Sequence, residues 1–338
     1  MALPYTRSDV KDRVRAEWRG ACNVTLPSFS QDFTGLNEAG IAHDVRRAAE
    51  QGFWGTLIAS ESGTTTDEYC RFMHIAAEAA PPGFKLMHHA SFTTLDEMLV
   101  TAREAESLGF EATLMSYPPT FRPKAAQEIV EFTRHYTQQT NLATVLFGVM
   151  TWGFKSLHPS GFPPEALEEM AKFETAAAIK YEANPPAMPT GLADTLRRCG
   201  KHVLVECPLE QYAPGLIDWF GMQWIGTSSY ESFGDRVPRM LKLLHEGKWD
   251  EGMQVYWSYQ PMRDAKGAFH ATFGGANLIH RPGWKYMSWL NGYNGGMLRM
   301  PQMRLNPNQM RQLRQGLQAS GFKDLPPDDD GFYLGRNC

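Results

Sequence analysis

The chain has 338 residues, long for one small domain and short for two of ordinary size. Hydrophobic residues make up 43% and charged residues 21%, the profile of a soluble globular protein. A formal charge of −4 without any basic run excludes the electrostatic footprint of a nucleic-acid or anionic-membrane binder.

At the N-terminus, "MALPYTRSDVKDRVRAEWRG" is charged throughout and lacks an apolar core, so we expect no secretory signal and a helical extension over residues 1–20. Short apolar or β-branched runs then recur: 21–27, 55–60, 84–90, 111–118, 143–149, 176–182, 201–208 and 222–229. Between them lie amphipathic segments such as "NEAGIAHDVRRAAEQG" and "TTLDEMLVTAREAESLG", each closed by a glycine. Eight strands alternating with helices predict a (β/α)8 TIM barrel over residues 21–238, with a doubly wound open sheet as the alternative. Additional C-terminal helices are expected over 239–320. The tail, 321–338, reads as polar and either loosely ordered or docked on a neighbouring subunit.

No apolar stretch reaches the roughly 18 residues that a membrane-spanning helix needs. Cys22, Cys70, Cys199, Cys207 and Cys338 are scattered and form no CxxC pair. We therefore expect reduced thiols, no zinc site and a cytoplasmic location.

The segment "TAAAIKYEANP" raises the question of function. Side chains alternate along a strand, so Ala176, Ala178, Lys180 and Glu182 share one face. If that face is the barrel interior, the alanines leave space and Lys180 stands near the C-terminal mouth, where such barrels place their catalytic groups. Burial disfavours an ammonium, and a neutral amine there can attack a carbonyl and form an imine. The plainer reading is that Lys180 reaches out of the strand end to water or to Glu182.

Several stretches together resemble the dihydrodipicolinate synthase and N-acetylneuraminate lyase family of class I aldolases, over about residues 20 to 320. Ile179-Lys180 sits where that family carries its Schiff-base lysine. "LPSFSQDF", "SYPPTFRP" and "GMQWIGTSS" resemble the family's segments after the first and fourth strands and at the eighth. A late segment carries Lys285, Gly296, Arg299 and Pro301 in matching order. The resemblance implies a barrel that is often a homotetramer, needs no cofactor, and holds pyruvate or the pyruvate end of a longer 2-oxo acid on the lysine. Its partner is then a small carbonyl substrate, and the chain a homo-oligomer.

Three departures bear on mechanism. The family's relay tyrosine on the fifth strand is replaced by Phe147, which cannot carry a proton. The Gly-Thr-Thr-Gly-Glu loop that holds the pyruvate carboxylate reads "IASESGTTTDE": one register places Glu61 and Ser62 at the threonines and keeps Gly63, a shifted one recovers Gly63, Thr64 and Thr65. Ser62, Gly63 and Thr64 are the expected carboxylate binders, and an ordinary polar loop with Thr66 or Asp67 as N-cap fits both registers. Finally, Glu206 lies where the family has a small residue. An ionised carboxylate ~4 Å from a substrate carboxylate costs on the order of 4 kcal/mol at an effective dielectric of ~20. Either it is protonated, points away, or meets no carboxylate; if protonated, it is a usable general acid or base.

Tyr117 after the fourth strand is a second candidate for the missing hydroxyl. His88 and His89 must point to opposite faces, so one enters the barrel; His88 is placed among the substrate-binding residues, with Phe147 and Tyr230. Arg299 is expected to hold the C-terminal helices. Trp152, Phe154, Phe121 and Tyr230 are expected to ring an apolar mouth suited to a bulky or aromatic substrate. The expected activity is a lyase of aldolase type acting through an imine on Lys180. The alternatives are a hydratase or dehydratase using the same imine and a non-catalytic barrel that binds a carbonyl ligand.

Overall fold

The computed structural model describes residues 3–182, 187–274, 279–301 and 303–337. All eight apolar runs carry strands: β1 (Gly20–Thr25), β2 (Gly55–Ile58), β3 (Lys85–Ala90), β4 (Ala112–Met115), β5 (Ala143–Val149), β6 (Ala176–Glu182), β7 (Leu204–Glu206) and β8 (Trp224–Gly226). The helices before and between them are α1 (Val10–Glu17), α2 (Glu38–Glu50), α3 (Thr66–Ala79), α4 (Leu95–Ser107), α5 (Ala126–Gln138), α6 (Pro164–Met170), α7 (Ala187–Cys199) and α8 (Ala213–Phe220). After β8 come α9 (Arg236–His245), α10 (Trp249–Ser258), α11 (Gln260–Gly274), α12 (Arg281–Leu290), α13 (Pro307–Ala319) and α14 (Asp330–Leu334).

All strand pairs are parallel, in the order β7-β6-β5-β4-β3-β2-β1-β8. An unbroken sequential order that brings β8 beside β1 is the topology of a barrel; the doubly wound alternative requires a reversal of order partway. β4 stops short of its predicted run because Pro118 and Pro119 offer no N–H to a ladder. β7 starts late because the N–H groups of His202 and Val203 turn back to the Cys199 carbonyl at the end of α7.

Trp18, Trp54 and Trp224 pack together at the N-terminal ends of β1, β2 and β8, with ring centroids 4.9–5.7 Å apart. They fill that end of the barrel with apolar bulk, which leaves the strands' C-terminal ends for a site. Lys285 on α12 reaches the chain leaving β1, donating to the Pro27 carbonyl and to Ser28 Oγ (3.1 Å). Burial lowers its amine to about 8, and Asp44 on α2 opposes that shift. The C-terminal helices are thus tied to the barrel by buried polar groups as well as by apolar packing.

The tail differs from expectation. It docks on its own chain, not loosely or on a neighbour. Arg336 donates to the carbonyls of Trp289 (2.9 Å) and Tyr293 (3.0 Å), and Asn337 N–H donates to Asn294 Oδ1 (2.8 Å). Phe332 is buried against Tyr286 and Trp289, with centroids 5.2 and 5.8 Å away. Polar composition hid this because one aromatic anchor and a few backbone bonds suffice to dock a short segment. Phe332→Ala is expected to cost about 3–5 kcal/mol, the scale for truncating a buried phenylalanine, read as a lower denaturation midpoint with the barrel's secondary structure intact.

Candidate active site

β6 opposes β5 and β7 in a register that sets Phe147, Lys180 and Glu206 side by side. A register shift between Thr144 and Val145 precedes this, after which Val145, Phe147 and Val149 face Ala178, Lys180 and Glu182 in step. Lys180 is 4% exposed, so it does not reach out to water. Its Nζ lies 4.2 Å from the Phe147 ring centroid, donates to the Thr227 carbonyl (2.8 Å) and is 3.5 Å from Glu182 Oε2. The small side chains of Ala176 and Ala178 beneath it are fully buried. The site therefore contains the ion pair with Glu182 that the plainer reading expects, in a buried setting.

Glu206 is 1% exposed. No ladder joins β7 to β8 among the described residues, and Gly226 N–H of β8 donates across that seam to Glu206 Oε2 (3.3 Å). Glu206 Oε1 is buried without a hydrogen-bond partner. Burial pushes the carboxyl well above its usual range, opposed by the Lys180 charge and the Gly226 bond. Oε2 is thus occupied by an N–H, while Oε1 keeps an open hydrogen-bonding site. Cys22 shares this environment, and burial raises its thiol well above the ordinary value.

Phe147 has an edge-to-face neighbour in Trp152, with centroids 5.6 Å apart. These two rings form the apolar side of the mouth. Trp152 also meets the Tyr117 ring edge-to-face at 5.9 Å, and Phe154 and Phe121 pack on that same ring at 5.2 and 5.4 Å, so these aromatics form one continuous cluster.

Tyr117 itself corrects an expectation. Its hydroxyl bonds Thr133 Oγ1 of α5 at 2.8 Å and approaches Met170 Sδ of α6 at 3.9 Å, on the helix side of β4. Burial raises it far above an ordinary phenol. It cannot stand in for the missing relay, because β4 turns Leu114 and Ser116 inward and Tyr117 outward. Tyr230 is likewise buried, with its hydroxyl donated to the Pro208 carbonyl (2.7 Å), and so supplies wall and not a free polar group.

The histidine pair also reverses. His88 points into the helix layer, its nitrogens 2.9 Å from Thr113 Oγ1 and Thr101 Oγ1, and burial lowers it to about 3. His89 is the inward one. Its Nδ1 receives the Ser60 N–H (3.4 Å), its Nε2 lies 3.5 Å from Ser116 Oγ, and burial holds it near 4 despite the nearby Glu61. Alternation had left either residue possible; the side-chain partners Thr101 and Thr113 decide it.

On the loop after β2, Thr65 caps α3 in a reciprocal pair with Glu68, so neither Thr66 nor Asp67 is the N-cap. That occupies the second threonine of the shifted register. Ser62 Oγ and Thr64 Oγ1 are buried and have no partner. Gly63 takes φ +83°, and an added Cβ would lie 3.1 Å from Arg299 Cβ. Arg299 fixes this loop by bonding the Phe33 carbonyl (2.9 Å) and Glu68 (2.7 Å). Arg299 thus braces the mouth loops, where we had expected it to hold the C-terminal helices.

Glu61 is a residue whose role the sequence did not suggest. Its Oε2 pairs with Arg281 Nη2 of α12 (2.7 Å), its Oε1 accepts from Ser91 Oγ, and His89 Nε2 stands 4.0 Å away. Desolvation opposes ionisation although the side chain keeps 38% of its surface exposed, and the Arg281 charge with the hydrogen bonds from Ser91 and Arg281 holds the carboxyl below its usual range. Glu61 and Arg281 are 220 positions apart, beyond any spacing signal.

Among the described residues, no group of three or more His, Cys, Asp or Glu is placed to hold a metal ion, and no helix is long and apolar enough to cross a membrane. No protein-family model and no curated protein matches the sequence. Solved structures do match. N-acetylneuraminate lyase from Fusobacterium nucleatum is 15% identical, with 89% of this chain and 98% of that one covered and a TM-score of 0.72. A dihydrodipicolinate synthase from Cyanidioschyzon merolae with lysine bound is 16% identical over 90% and 98%, with a TM-score of 0.74. PhdJ bound to a substrate intermediate is 15% identical over 94% and 97%, also at 0.74. The chain therefore has the (β/α)8 fold, with C-terminal helices, of the dihydrodipicolinate synthases and N-acetylneuraminate lyases.

Proposed function

We propose that the protein is a lyase of the class I aldolase type, acting on a 2-oxo acid through an imine on Lys180. One observation carries this reading: a buried lysine at the mouth end of β6 stands in register beside a buried carboxyl, Glu206, that has one oxygen unpaired. The neutral amine attacks the C2 carbonyl and the oxygen leaves as water, giving the imine. Protonated, the imine draws electrons toward C3. As the C4 hydroxyl gives its proton to water and C4 becomes the carbonyl of the released aldehyde, the C3–C4 bond breaks to an enamine, and the reverse sequence forms it. The enamine is then protonated at C3, and water releases the keto acid.

Phe147 cannot serve the proton transfers, and its ring closes the β5 side of Lys180. Glu206 takes them over from the β7 side, through Oε1. Glu182, at the mouth and 3.5 Å from Nζ, gives the lysine's proton a route to solvent. The unpaired hydroxyls of Ser62 and Thr64 are suited to the substrate carboxylate, and Gly63 lets the backbone approach. Ser62→Ala is expected to raise KM for the 2-oxo acid about tenfold with little change in kcat, the scale of one hydrogen bond to a charged group.

The reading is tested by proton exchange. Wild-type protein incubated with pyruvate in D2O is expected to place deuterium on C3, followed by NMR, while Lys180→Met is not. Exchange that persists in the Met variant contradicts the reading. Cleavage products from a 4-hydroxy-2-oxo acid then separate an aldolase from a dehydratase, which yields the unsaturated or deoxygenated acid with its carbon chain intact.

A further inference from the structure

We propose that His89 binds the half of the substrate that is not held on Lys180, donating its Nε2–H to an oxygen on C4. The proposal rests on the imine reading above and adds to it a second recognition group and a requirement on the substrate.

The two adjacent histidines supply the contrast. His88 has both ring nitrogens saturated at 2.9 Å by threonine hydroxyls, a structural role that is complete in the folded chain. His89 is held firmly on one side and only at the limit of a hydrogen bond on the other. A backbone N–H can only donate, so the Ser60 amide at 3.4 Å makes Nδ1 an acceptor; the Ser60 hydroxyl lies 3.2 Å from the same nitrogen. The proton of the neutral ring therefore sits on Nε2.

That N–H has no good acceptor. Ser116 Oγ is at 3.5 Å, the outer limit of a hydrogen bond, and Glu61 Oε1 is at 4.0 Å. Glu61 does not need it, since Ser91 and Arg281 already donate to its two oxygens. A donor on a ring only 4% exposed, met at 3.5 Å alone, gains from a ligand oxygen that comes closer. Burial keeps the ring uncharged, and the Lys180 charge acts on it in the same direction.

Position gives the donor its use. His89 is at the C-terminal end of β3, whereas Lys180 is on β6, so the two stand on different walls of the barrel interior. A 2-oxo acid bound through C2 to Lys180 extends toward the other wall, and C4 is the carbon that carries the alcohol of an aldol. Arg281 acts through Glu61 as a positioning residue, fixing the carboxylate beside the ring.

Two ligands that differ by one oxygen test this: 2-oxobutanoate and 4-hydroxy-2-oxobutanoate. The readout is the concentration of each that gives half-maximal borohydride-trapped adduct on Lys180. Wild type is expected to favour the hydroxylated ligand about tenfold, the scale of one hydrogen bond. His89→Leu is expected to bring the ratio near one while trapping 2-oxobutanoate as wild type does, which also reports an intact fold. His89→Phe serves as the second variant if the Leu variant does not fold, and His89→Gln, which keeps an N–H donor, is expected to recover part of the preference. A wild-type protein without preference, or a preference unchanged in His89→Leu or His89→Phe, overturns the proposal while leaving the imine reading intact. No adduct with either ligand in wild type overturns both.

Discussion

Lys180→Met is expected to lower turnover on the order of 10⁴-fold or more, the scale seen when a covalent catalytic group is deleted. The fold should survive. Lys180 makes one hydrogen bond to a backbone carbonyl and one ion pair, and an apolar side chain of similar length replaces a buried ion pair at little cost or with a gain in stability. Met also fills the space under the Phe147 ring, so the cavity does not collapse. The measurement pairs a rate with a thermal midpoint. A variant that loses activity and keeps its midpoint assigns the chemistry to the amine; a variant with near-wild-type turnover removes Lys180 from the mechanism.

Glu206→Gln is expected to lower kcat by about 10² to 10⁴, the range for loss of a general acid or base. The substitution is conservative where Glu206 bridges strands, since a Gln carbonyl oxygen also accepts the Gly226 N–H and keeps the seam between β7 and β8. The sign of the pH effect follows from the raised pKa. Burial, the larger cause, keeps the folded carboxyl protonated above its usual range, against the pull of Lys180. The folded state then holds a proton that the unfolded state gives up near the ordinary value of about 4.3. Stability from this group is present below that value and declines as pH rises toward the folded one. Gln does not titrate, so stability of the variant relative to wild type should improve with rising pH across that window. Its rate profile should also lose the limb where wild type falls as Glu206 ionises. A rate–pH profile identical in shape to wild type contradicts an acid–base role.

Much of the scaffold was legible in the sequence. Each apolar run from 21–27 to 222–229 carries a strand, because barrel strands are buried on both faces and read as continuous apolar segments. That same property hid the orientation of individual side chains. With both faces buried, neither the His88–His89 pair nor Tyr117 betrays its direction; the choice rests on Thr113, Thr101 and Thr133, supplied by a neighbouring strand and by helices. Lys180 was legible from two alanines before it and a mouth-end position. Glu206 was legible as an anomaly, a carboxyl closing an apolar strand. The Glu61–Arg281 pair was not, since the two residues meet only once α12 has packed on the barrel. The aromatic residues turned out to share one cluster: Phe121, Phe154 and Trp152 all pack on Tyr117, and Trp152 carries it on to Phe147 beside Lys180.

The placement of the polar groups gives meaning to the loss of the family-type tyrosine. Phe147 places a ring face over Nζ, while the proposed proton carrier, Glu206, stands on β7 and the proposed C4-oxygen donor, His89, on β3. The geometry is compatible with imine chemistry run by a redistributed set of groups.

Borohydride reduction in the presence of pyruvate, followed by peptide mapping by mass spectrometry, tests the central claim most directly. The account predicts one reduced pyruvyl adduct per chain, on the peptide containing Lys180, and none in Lys180→Met. No adduct with pyruvate or any other 2-oxo acid, or an adduct on another lysine such as Lys266 or Lys285, would contradict it.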